Sequence, residues 1–308
     1  MLYLGVDLGG TNIKAALVDE TGSLVRESAA PTGLPRSAQS ICDDIASLCL
    51  ALAGDRTVAG IGVGCPGMVD GGLVRYSNNL AWENFAMADY LTAKTGLPVK
   101  VGNDANVAAL GEALVGCAKG AHSAVILTLG TVVGGGVVLD GRLLTGYSGT
   151  AAEPGHMVIA DDLHAPMCTC GRRGCFESLA SATALIRMTR EAMDAHPDSL
   201  MHRLAGEGIT GSTAFDAAAQ GDDAGQAVVL QYVHNLAVGV ANLINIFSPQ
   251  VVGLSGGVAN QGEAPLAPLR HAVRAMVFGS KFQPRQTTIT TCTLGYRAGV
   301  IGAAMLLR

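Results

Sequence analysis

Charged and aromatic residues are scarce in this sequence. Asp, Glu, Lys and Arg make up 15% of the 308 residues, aromatic residues make up 4%, and there is a single tryptophan. Average domains carry about 25% charged residues, so a chain with this little charge and 49% apolar residues is not intrinsically disordered. The length predicts two lobes rather than one small scaffold.

Long basic stretches are also missing. The longest basic run is Arg172-Arg173 and the net charge is −5, which excludes the electrostatic footprint of a nucleic-acid-binding protein. The first residues carry no basic segment, and Asp7 interrupts the opening apolar stretch, so we predict no signal peptide and a cytoplasmic location. Residues 121–139 and 224–262 lack charges, but their glycines, polar residues and Pro249 argue against membrane spans and a membrane partner.

Glycine, in contrast, is abundant, with 41 residues, and it marks a repeated pattern. Strands predicted at 2–7 and 13–18 flank one glycine turn, and strands at 124–129 and 136–139 flank another. The repeat predicts two lobes of related topology with a ligand cleft between them: 1–118, joined by the C-terminal helix 298–308, and 119–297. Further helices are predicted at 37–52, 105–114, 179–195 and 224–247, and buried strands at 58–63, 99–101 and 251–254.

Both glycine turns are candidate phosphate-binding loops. Backbone amides of Gly9 and Gly10 can point at phosphate oxygens, with the Thr11 hydroxyl as a further donor and Asp7 holding hydrated Mg²⁺. Gly130 begins the second loop. The alternative is that each is an ordinary hairpin turn. Residues 62–67 match G-x-G-x-x-G, but Pro66 occupies the would-be helix entrance, which excludes a dinucleotide site.

A cluster of cysteines indicates a metal site. His156, Cys168, Cys170 and Cys175 supply one imidazole and three thiolates within twenty residues, a donor set typical of tetrahedral structural Zn²⁺. The alternative is a group of thiols without metal, although such thiols prefer apolar surroundings to this glycine- and arginine-rich loop.

Three acidic residues remain open to two interpretations. Asp104 follows Asn103 at the carboxyl end of a predicted strand, where open α/β sheets bind ligands, so it could accept a proton or simply cap the following helix. Glu153 and Glu177 flank the metal ligands, and they could equally be solvated surface acids.

The motifs together resemble the ROK family of sugar kinases and repressors, along the whole chain. They are D-L-G-G-T-N-I-K from Asp7 to Lys14, G-N-D-A-N-V-A-A-L-G-E from Gly102 to Glu112, L-G-T-V-V-G-G-G from Leu129 to Gly136, E-P-G-H from Glu153 to His156, C-T-C-G-R-R-G-C-F-E-S from Cys168 to Ser178, A-N-L-I-N-I-F-S-P from Ala241 to Pro249, S-G-G-V from Ser255 to Val258 and A-G-V-I-G-A-A from Ala298 to Ala304.

The resemblance implies an α/β fold of the two-lobed actin-like ATPase (ribonuclease H-like) class. It also implies ATP-dependent phosphorylation of a hexose in carbohydrate metabolism, with Mg²⁺ and structural Zn²⁺. In the family the residue matching Asp104 is the catalytic base. Sugar-binding positions match Asn79, Asn103, Asp104, Glu153, His156 and Glu177. ATP and phosphate positions match Asp7, Gly9, Gly10, Thr11, Asn12, Lys14, Gly130, Thr131, Gly256 and Gly257.

Two positions depart from the family pattern: Val132 and Ala152 stand where glycine is usual. Val132 adds a side chain near the phosphate path, which weakens or re-aims nucleotide binding in this interpretation. The Cys175-to-Ser181 segment resembles family glucokinases and favours glucose, phosphorylated at its 6-hydroxyl, as in glycolysis. N-acetylglucosamine, N-acetylmannosamine and other hexoses are the alternatives.

Two non-catalytic alternatives remain. A sugar-responsive repressor of this family would carry a DNA-binding helix-turn-helix module of about 70–80 residues before the first strand, whereas here that strand begins at Leu2. A catalytically inactive sugar sensor is disfavoured because Asp7 and Asp104 are both present. The expected assembly is a homodimer or homotetramer.

Overall fold

The computed structural model describes all 308 residues, Met1–Arg308. The strands are β1 (Leu2–Leu8), β2 (Asn12–Asp19), β3 (Leu24–Pro31), β4 (Ile61–Cys65), β5 (Met68–Asp70), β6 (Leu73–Ser77), β7 (Trp82–Phe85), β8 (Val99–Asn103), β9 (Ser123–Leu129), β10 (Val133–Leu139), β11 (Arg142–Leu143), β12 (Val251–Ser255) and β13 (Thr288–Thr291). The helices are α1 (Ala38–Ala53), α2 (Met87–Thr95), α3 (Asp104–Leu114), α4 (Phe176–Ala180), α5 (Ala182–Ala195), α6 (Met201–Leu204), α7 (Thr213–Ala219), α8 (Asp223–Phe247), α9 (Glu263–Met276) and α10 (Ala298–Met305).

Two five-stranded sheets share one strand order. The first runs β3-β2-β1-β4-β8 and the second β11-β10-β9-β12-β13, and a small third sheet runs β5-β6-β7. In the first sheet β1 and β2 form an antiparallel hairpin, while β4 lies parallel to β1 and β8 parallel to β4. The matching order confirms that the strand, glycine turn, strand pattern seen in the sequence marks a repeated topology.

Most predicted elements are present, with shifted ends. The β1–β2 and β9–β10 hairpins, α1, α3, β8, β12 and α10 confirm the predictions. Helix α1 begins after Ser37, whose hydroxyl accepts from the Ser40 amide, and α8 ends before Ser248, which has φ +44° and precedes Pro249.

Three predicted boundaries were wrong. The strand expected at 136–139 already begins at Val133, in β10. The continuous helix expected at 179–195 is broken at Ser181, which is extended (φ −74°, ψ 166°) and whose hydroxyl accepts from the Ala184 amide to begin α5. The strand expected from Val58 begins only at Ile61, in β4.

Two compact units divide the chain. The first unit comprises Met1–Ile126, Gly136–Ala152 and Cys292–Arg308, and the second comprises Leu127–Gly135 and Glu153–Thr291. The lobe limits 1–118 and 119–297 stay a prediction.

Close backbone packing joins the C-terminal helix to the first sheet. In the first unit, α10 packs on α3, β1 and β4. A Cβ added at Gly5 or Gly62 would collide with the backbone of α10, so these two positions require glycine for this approach.

The second unit is organised around α8, which contacts α4, α5, α7 and α9. By length and composition α8 could cross a membrane, but 61% of its apolar window is buried within the protein, as in the core helix of a globular domain. The Tyr232 hydroxyl on its buried face donates to the Ala180 carbonyl, and Gly239 lies against the Phe176 ring.

Candidate active site

The first glycine turn, between β1 and β2, is held by hydrogen bonds from Thr32, and its tip is exposed to solvent. The Gly9 amide donates to the Asn12 carbonyl at 2.9 Å, which closes the turn. Thr32 holds it in place, because its hydroxyl donates to the Gly9 carbonyl (2.7 Å) and its amide donates to the Thr11 carbonyl (2.8 Å). Gly10, Thr11 and Asn12 are exposed, so this turn can offer donors to an anion without rearranging.

Asp7 and Lys14 face each other across this hairpin, as partners in the β1–β2 register. Burial raises the pKa of the Asp7 carboxyl, the Lys14 ammonium opposes that rise, and the charge of Asp104 adds to it. A Cβ added at Gly299 would lie 2.7 Å from the Asp7 carboxylate carbon, so this glycine lets the start of α10 approach the acid. The Lys14 ammonium also lies 5.9 Å from the centre of the Tyr296 ring.

Asn103, and not Asp104, caps helix α3. The Asn103 side-chain oxygen accepts from the Asn106 amide at 3.1 Å, and its Nδ2 donates to the Gly67 carbonyl at 3.0 Å. The alternative that Asp104 serves as the N-cap is therefore wrong: Asp104 is the first helical residue, and its Oδ1 accepts from the Ala105 amide at 2.9 Å. Burial raises the pKa of the Asp104 carboxyl.

Asn79 lies elsewhere in the first unit, in the exposed turn between β6 and β7. No hydrogen bond joins it to Asn103 or Asp104. Gly67, whose carbonyl accepts from the Asn103 side chain, packs against the end of β6, where a Cβ added to it would lie 2.8 Å from Ser77 Cα.

The second glycine turn, between β9 and β10, is closed by a hydrogen bond from the Gly130 amide to the Val132 carbonyl at 3.1 Å. Two contacts from the start of α5 hold it: the Ala182 amide donates to the Gly130 carbonyl, and the Thr183 hydroxyl donates to the Thr131 carbonyl, both at 2.8 Å. The Val132 side chain is 52% exposed, so it projects from the turn instead of filling it.

Gly256 and Gly257 follow β12 in the second unit. Gly256 has φ +94°, and a Cβ there would collide with the backbone of Leu129, so the segment after β12 passes close to the end of β9. A Cβ at Gly257 would meet no atom within 4 Å.

The four predicted metal ligands converge. One donor atom each from His156, Cys168, Cys170 and Cys175 lies within 4.8 Å of the others. Cys168 Sγ is 3.7 Å from His156 Nδ1, and Cys170 Sγ is 3.6 Å from Cys175 Sγ. This donor set and spacing fit a tetrahedral Zn²⁺ site with four protein ligands.

Backbone contacts shape the same loop. The Arg172 guanidinium donates to the His156 carbonyl at 2.7 Å, which joins the first ligand to the segment between Cys170 and Cys175. A backbone hydrogen bond from Arg172 is the main cause that lowers the pKa of the exposed Cys170 thiol to about 6, whereas burial raises the pKa of Cys175 to about 12.

Glu177 is not a solvated surface acid. It is 8% exposed, and its Oε2 accepts from the Val133 amide at 3.2 Å while its Oε1 accepts from the Thr169 hydroxyl at 3.3 Å and the Cys168 thiol at 3.5 Å. One carboxylate thus joins the second glycine turn to the cysteine loop. Glu153, by contrast, is exposed, and it precedes the short 3-10 turn Pro154–His156.

The glycines of residues 62–67 serve packing. Gly62 meets the α10 backbone, Gly64 lies against Val107, and Gly67 has φ +107° and lies against the backbone of β6. The exclusion of a dinucleotide fingerprint agrees with this arrangement.

Sequence reasoning missed the structural role of Glu112. This carboxylate is 1% exposed and accepts from the backbone amides of Cys117 (2.9 Å), Thr293 (3.1 Å) and Leu294 (2.7 Å). Two of these partners, Thr293 and Leu294, lie about 180 residues away in sequence, so the sequence could not predict them. The one signal available was an acidic residue among apolar residues near the end of a predicted helix.

Comparison with known proteins decides the family. The sequence model described as "ROK family" matches residues 3–308. The chain belongs to the ROK family. This ROK protein is 38% identical over 310 residues to a glucokinase of Thermotoga maritima, an alignment that covers 99% of this chain and 96% of the relative.

Solved structures of the family share the fold. A ROK glucokinase from Streptomyces griseus, in complex with glucose and AMPPNP, matches with a TM-score of 0.78 and 34% identity, covering 99% of both chains. A ROK hexokinase from Thermus thermophilus matches with a TM-score of 0.82 and 34% identity, covering 99% of this chain and 97% of that one. The fold of this ROK protein is the two-lobed actin-like ATPase (ribonuclease H-like) fold.

Proposed function

We propose that this ROK protein is an ATP-dependent hexose kinase that phosphorylates glucose at its 6-hydroxyl. The observation that carries the proposal is Asp104, a half-buried carboxylate that follows the carboxyl end of β8 and that its neighbour Asn103 relieves of the capping role. The similarity to glucokinases supports the choice of reaction and of sugar.

In the proposed reaction Asp104 accepts the proton of the attacking 6-hydroxyl. A bond forms between that oxygen and the γ-phosphorus of ATP, the bond from this phosphorus to the bridging oxygen breaks, and ADP leaves. Burial raises the pKa of Asp104 and so strengthens it as a base, while it stays ionised when the pH exceeds that pKa. The reaction otherwise depends on positioning and charge neutralisation.

Both glycine turns bind phosphate in this proposal, and each does so with residues of its own unit. In the first unit Gly9, Gly10, Thr11, Asn12 and Lys14 supply amides, a hydroxyl and a cation. In the second unit Gly130, Thr131, Gly256 and Gly257 are the proposed ATP-binding residues. Mg²⁺ bound with ATP would neutralise phosphate charge, and the half-buried Asp7 carboxylate fits a role in holding its hydration shell.

The proposed sugar contacts are Asn79, Asn103 and Asp104 in the first unit and Glu153, His156 and Glu177 in the second. Glu177 already accepts hydrogen bonds from its own unit, so it would share its remaining acceptor positions with a sugar hydroxyl.

A structural Zn²⁺ is proposed for His156, Cys168, Cys170 and Cys175, whose donor atoms fit it. With four protein ligands such an ion has no open position, so it would hold the loop and take no part in the chemistry. We expect Cys170→Ala to lose this zinc, to raise the KM for the sugar before that for ATP, and to lower thermal stability. An unchanged sugar KM in a variant shown by elemental analysis to lack zinc would separate the loop from substrate binding.

The decisive test is an ADP-release assay with glucose on Asp104→Asn. Loss of a general base costs about 10²–10⁴-fold in kcat. Asp55→Asn is the matched control, because Asp55 is exposed and outside the candidate site. Unchanged turnover in Asp104→Asn would remove Asp104 from the base role.

A panel of hexoses in the same assay tests the substrate. Glucose should give the highest kcat/KM. A higher value for N-acetylglucosamine, N-acetylmannosamine or another hexose would keep the kinase and correct the sugar. No turnover with any hexose would favour a sugar-binding sensor. Cytoplasmic location, a homodimer or homotetramer, and the lack of nucleic-acid and membrane partners stay predictions.

A further inference from the structure

Glu112, Cys117 and Cys292 form a second cluster of metal-ligating groups, called here the second thiol cluster. One donor atom of each lies within 4.8 Å of the others, and all three residues belong to the first unit. The cluster shares no residue with the loop that contains His156 and its three cysteines. None of its three residues takes part in the proposed phosphoryl transfer.

The distance between the two sulfurs fits a shared metal ion. Cys117 Sγ lies 3.9 Å from Cys292 Sγ. Two thiolates bound tetrahedrally to one zinc, each at about 2.3 Å, lie about 3.8 Å from each other. For comparison, Cys170 and Cys175 in the cysteine loop are 3.6 Å apart.

Glu112 holds both cysteine-bearing segments in place. Its Oε2 accepts from the amides of Cys117 and Thr293, and its Oε1 accepts from the amide of Leu294. A Cβ added at Gly116 would collide with Glu112 Oε2, so the chain before Cys117 folds closely over the carboxylate. Because the donors are positioned by the fold, little conformational entropy remains to be lost when a metal binds.

One acceptor position of Glu112 remains for a metal. A carboxylate offers about four lone-pair positions, and backbone amides take both on Oε2 and one on Oε1. Cys117 and Cys292 are both half-buried, which leaves room for a water molecule as an additional ligand.

We propose that the second thiol cluster binds one thiophilic divalent cation, with Zn²⁺ as the expected ion. The ligands are Cys117 Sγ, Cys292 Sγ and Glu112 Oε1, with water in the fourth position. Binding replaces two thiol protons, which leave to solvent, so the affinity rises with pH. The ion ties the end of α3 to the segment that precedes α10, and with three protein ligands it binds more weakly than an ion in the four-ligand loop.

Cobalt titration of the reduced protein tests the proposal, with a phosphine reductant to keep the thiols free of disulfides. Thiolate-bound Co²⁺ has charge-transfer absorption, which reports sulfur ligation directly. The wild type should take up two equivalents with this absorption, whereas Cys117→Ser and Cys292→Ser should each take up one. Cys42→Ala, which removes a buried thiol outside both clusters, should retain two.

Cys170→Ser separates the sites from the other side. Cys170→Ser should retain one equivalent of Co²⁺, and the double variant Cys117→Ser/Cys170→Ser should bind none. Added Zn²⁺ should raise the melting temperature of Cys170→Ser but not that of the double variant. The comparison of the wild type with Cys117→Ser and Cys292→Ser decides the proposal even if Cys170→Ser does not fold. Equal cobalt uptake in these three proteins would overturn it. So would a Cys117–Cys292 disulfide formed in air by the zinc-loaded protein, because bound metal protects both thiolates.

Discussion

Replacing Glu177 with glutamine tests how strongly one carboxylate joins the second glycine turn to the cysteine loop. The side chain is 8% exposed and accepts from the Val133 amide at 3.2 Å and from the Thr169 hydroxyl at 3.3 Å. Glutamine has nearly the same shape, but one of its two terminal groups is a donor. The substitution therefore changes hydrogen bonding and charge with little change in packing.

The cost follows from the two orientations of the amide. With its nitrogen towards Val133, two donors face each other, and a buried N–H without an acceptor costs about 1–3 kcal/mol. With its nitrogen towards Thr169, the hydroxyl can turn to accept, but the bond to Val133 loses its charge assistance. The second orientation is cheaper, so we expect the zinc-loaded protein to lose about 1–2 kcal/mol of unfolding free energy.

Urea denaturation of the zinc-loaded proteins measures this difference. Glu191→Gln is the matched control: its side chain is 61% exposed, and its ion pair with Arg187 is worth less than about 0.5 kcal/mol. Glu177→Gln should unfold at a clearly lower urea concentration than Glu191→Gln, with the same slope. Equal midpoints for the two variants would refute the view that Glu177 stabilises the link between turn and loop.

Three further predictions concern Asp104, Ala152 and Gly62, which all belong to the first unit. Because Asp104 must be ionised to accept a proton and burial raises its pKa, kcat/KM should fall as the pH drops through a midpoint above 3.8; a midpoint at or below 3.8 would contradict this assignment. Ala152 has φ +60°, a conformation that strains a residue with a Cβ, so Ala152→Gly should raise the melting temperature by about 1–3 °C, as scanning calorimetry would show; a decrease would mean that the strain is negligible. Gly62→Ala should lower the unfolding free energy by about 1–3 kcal/mol because its Cβ would meet the α10 backbone, whereas Gly208→Ala, with open space around it, should not; equal effects in urea denaturation would dismiss close packing as the cause.

The sequence was sufficient for the parts of the fold that local patterns determine. Apolar runs on either side of a glycine cluster predicted both hairpins, and Ser37 marked the start of α1. The sequence pattern did not predict strand β3, because most of its residues are exposed and its pairing with β2 holds it in place. The sequence pattern did not predict helix α9 either, because it contains Pro265 and Pro268, and proline is unfavourable inside a helix.

The candidate site divides in the same way. Spacing alone was enough to predict that the four ligands of the cysteine loop lie close together, because they fall within twenty residues of sequence. It could not distinguish Asp104 from Asn103 as the helix cap, because both residue types cap helices well and the choice depends on the backbone at the end of β8. Nor could it reveal that Glu177 is buried, since its partners Val133 and Thr169 reach it only in the folded chain.

The two hydrogen bonds of the Asn103 side chain fix its orientation before any ligand arrives. The oxygen accepts from the Asn106 amide and the nitrogen donates to the Gly67 carbonyl, so neither rotation about χ1 nor exchange of the amide ends is available. The oxygen keeps one unused lone pair, whereas the amide group also donates a hydrogen bond to the Asp104 carboxylate, which opposes the rise that burial causes in the pKa of that carboxyl. A polyol hydroxyl that meets this group would therefore find an acceptor at a set direction next to the Asp104 carboxylate, and the Asn103 side chain would lose no rotamer freedom on contact.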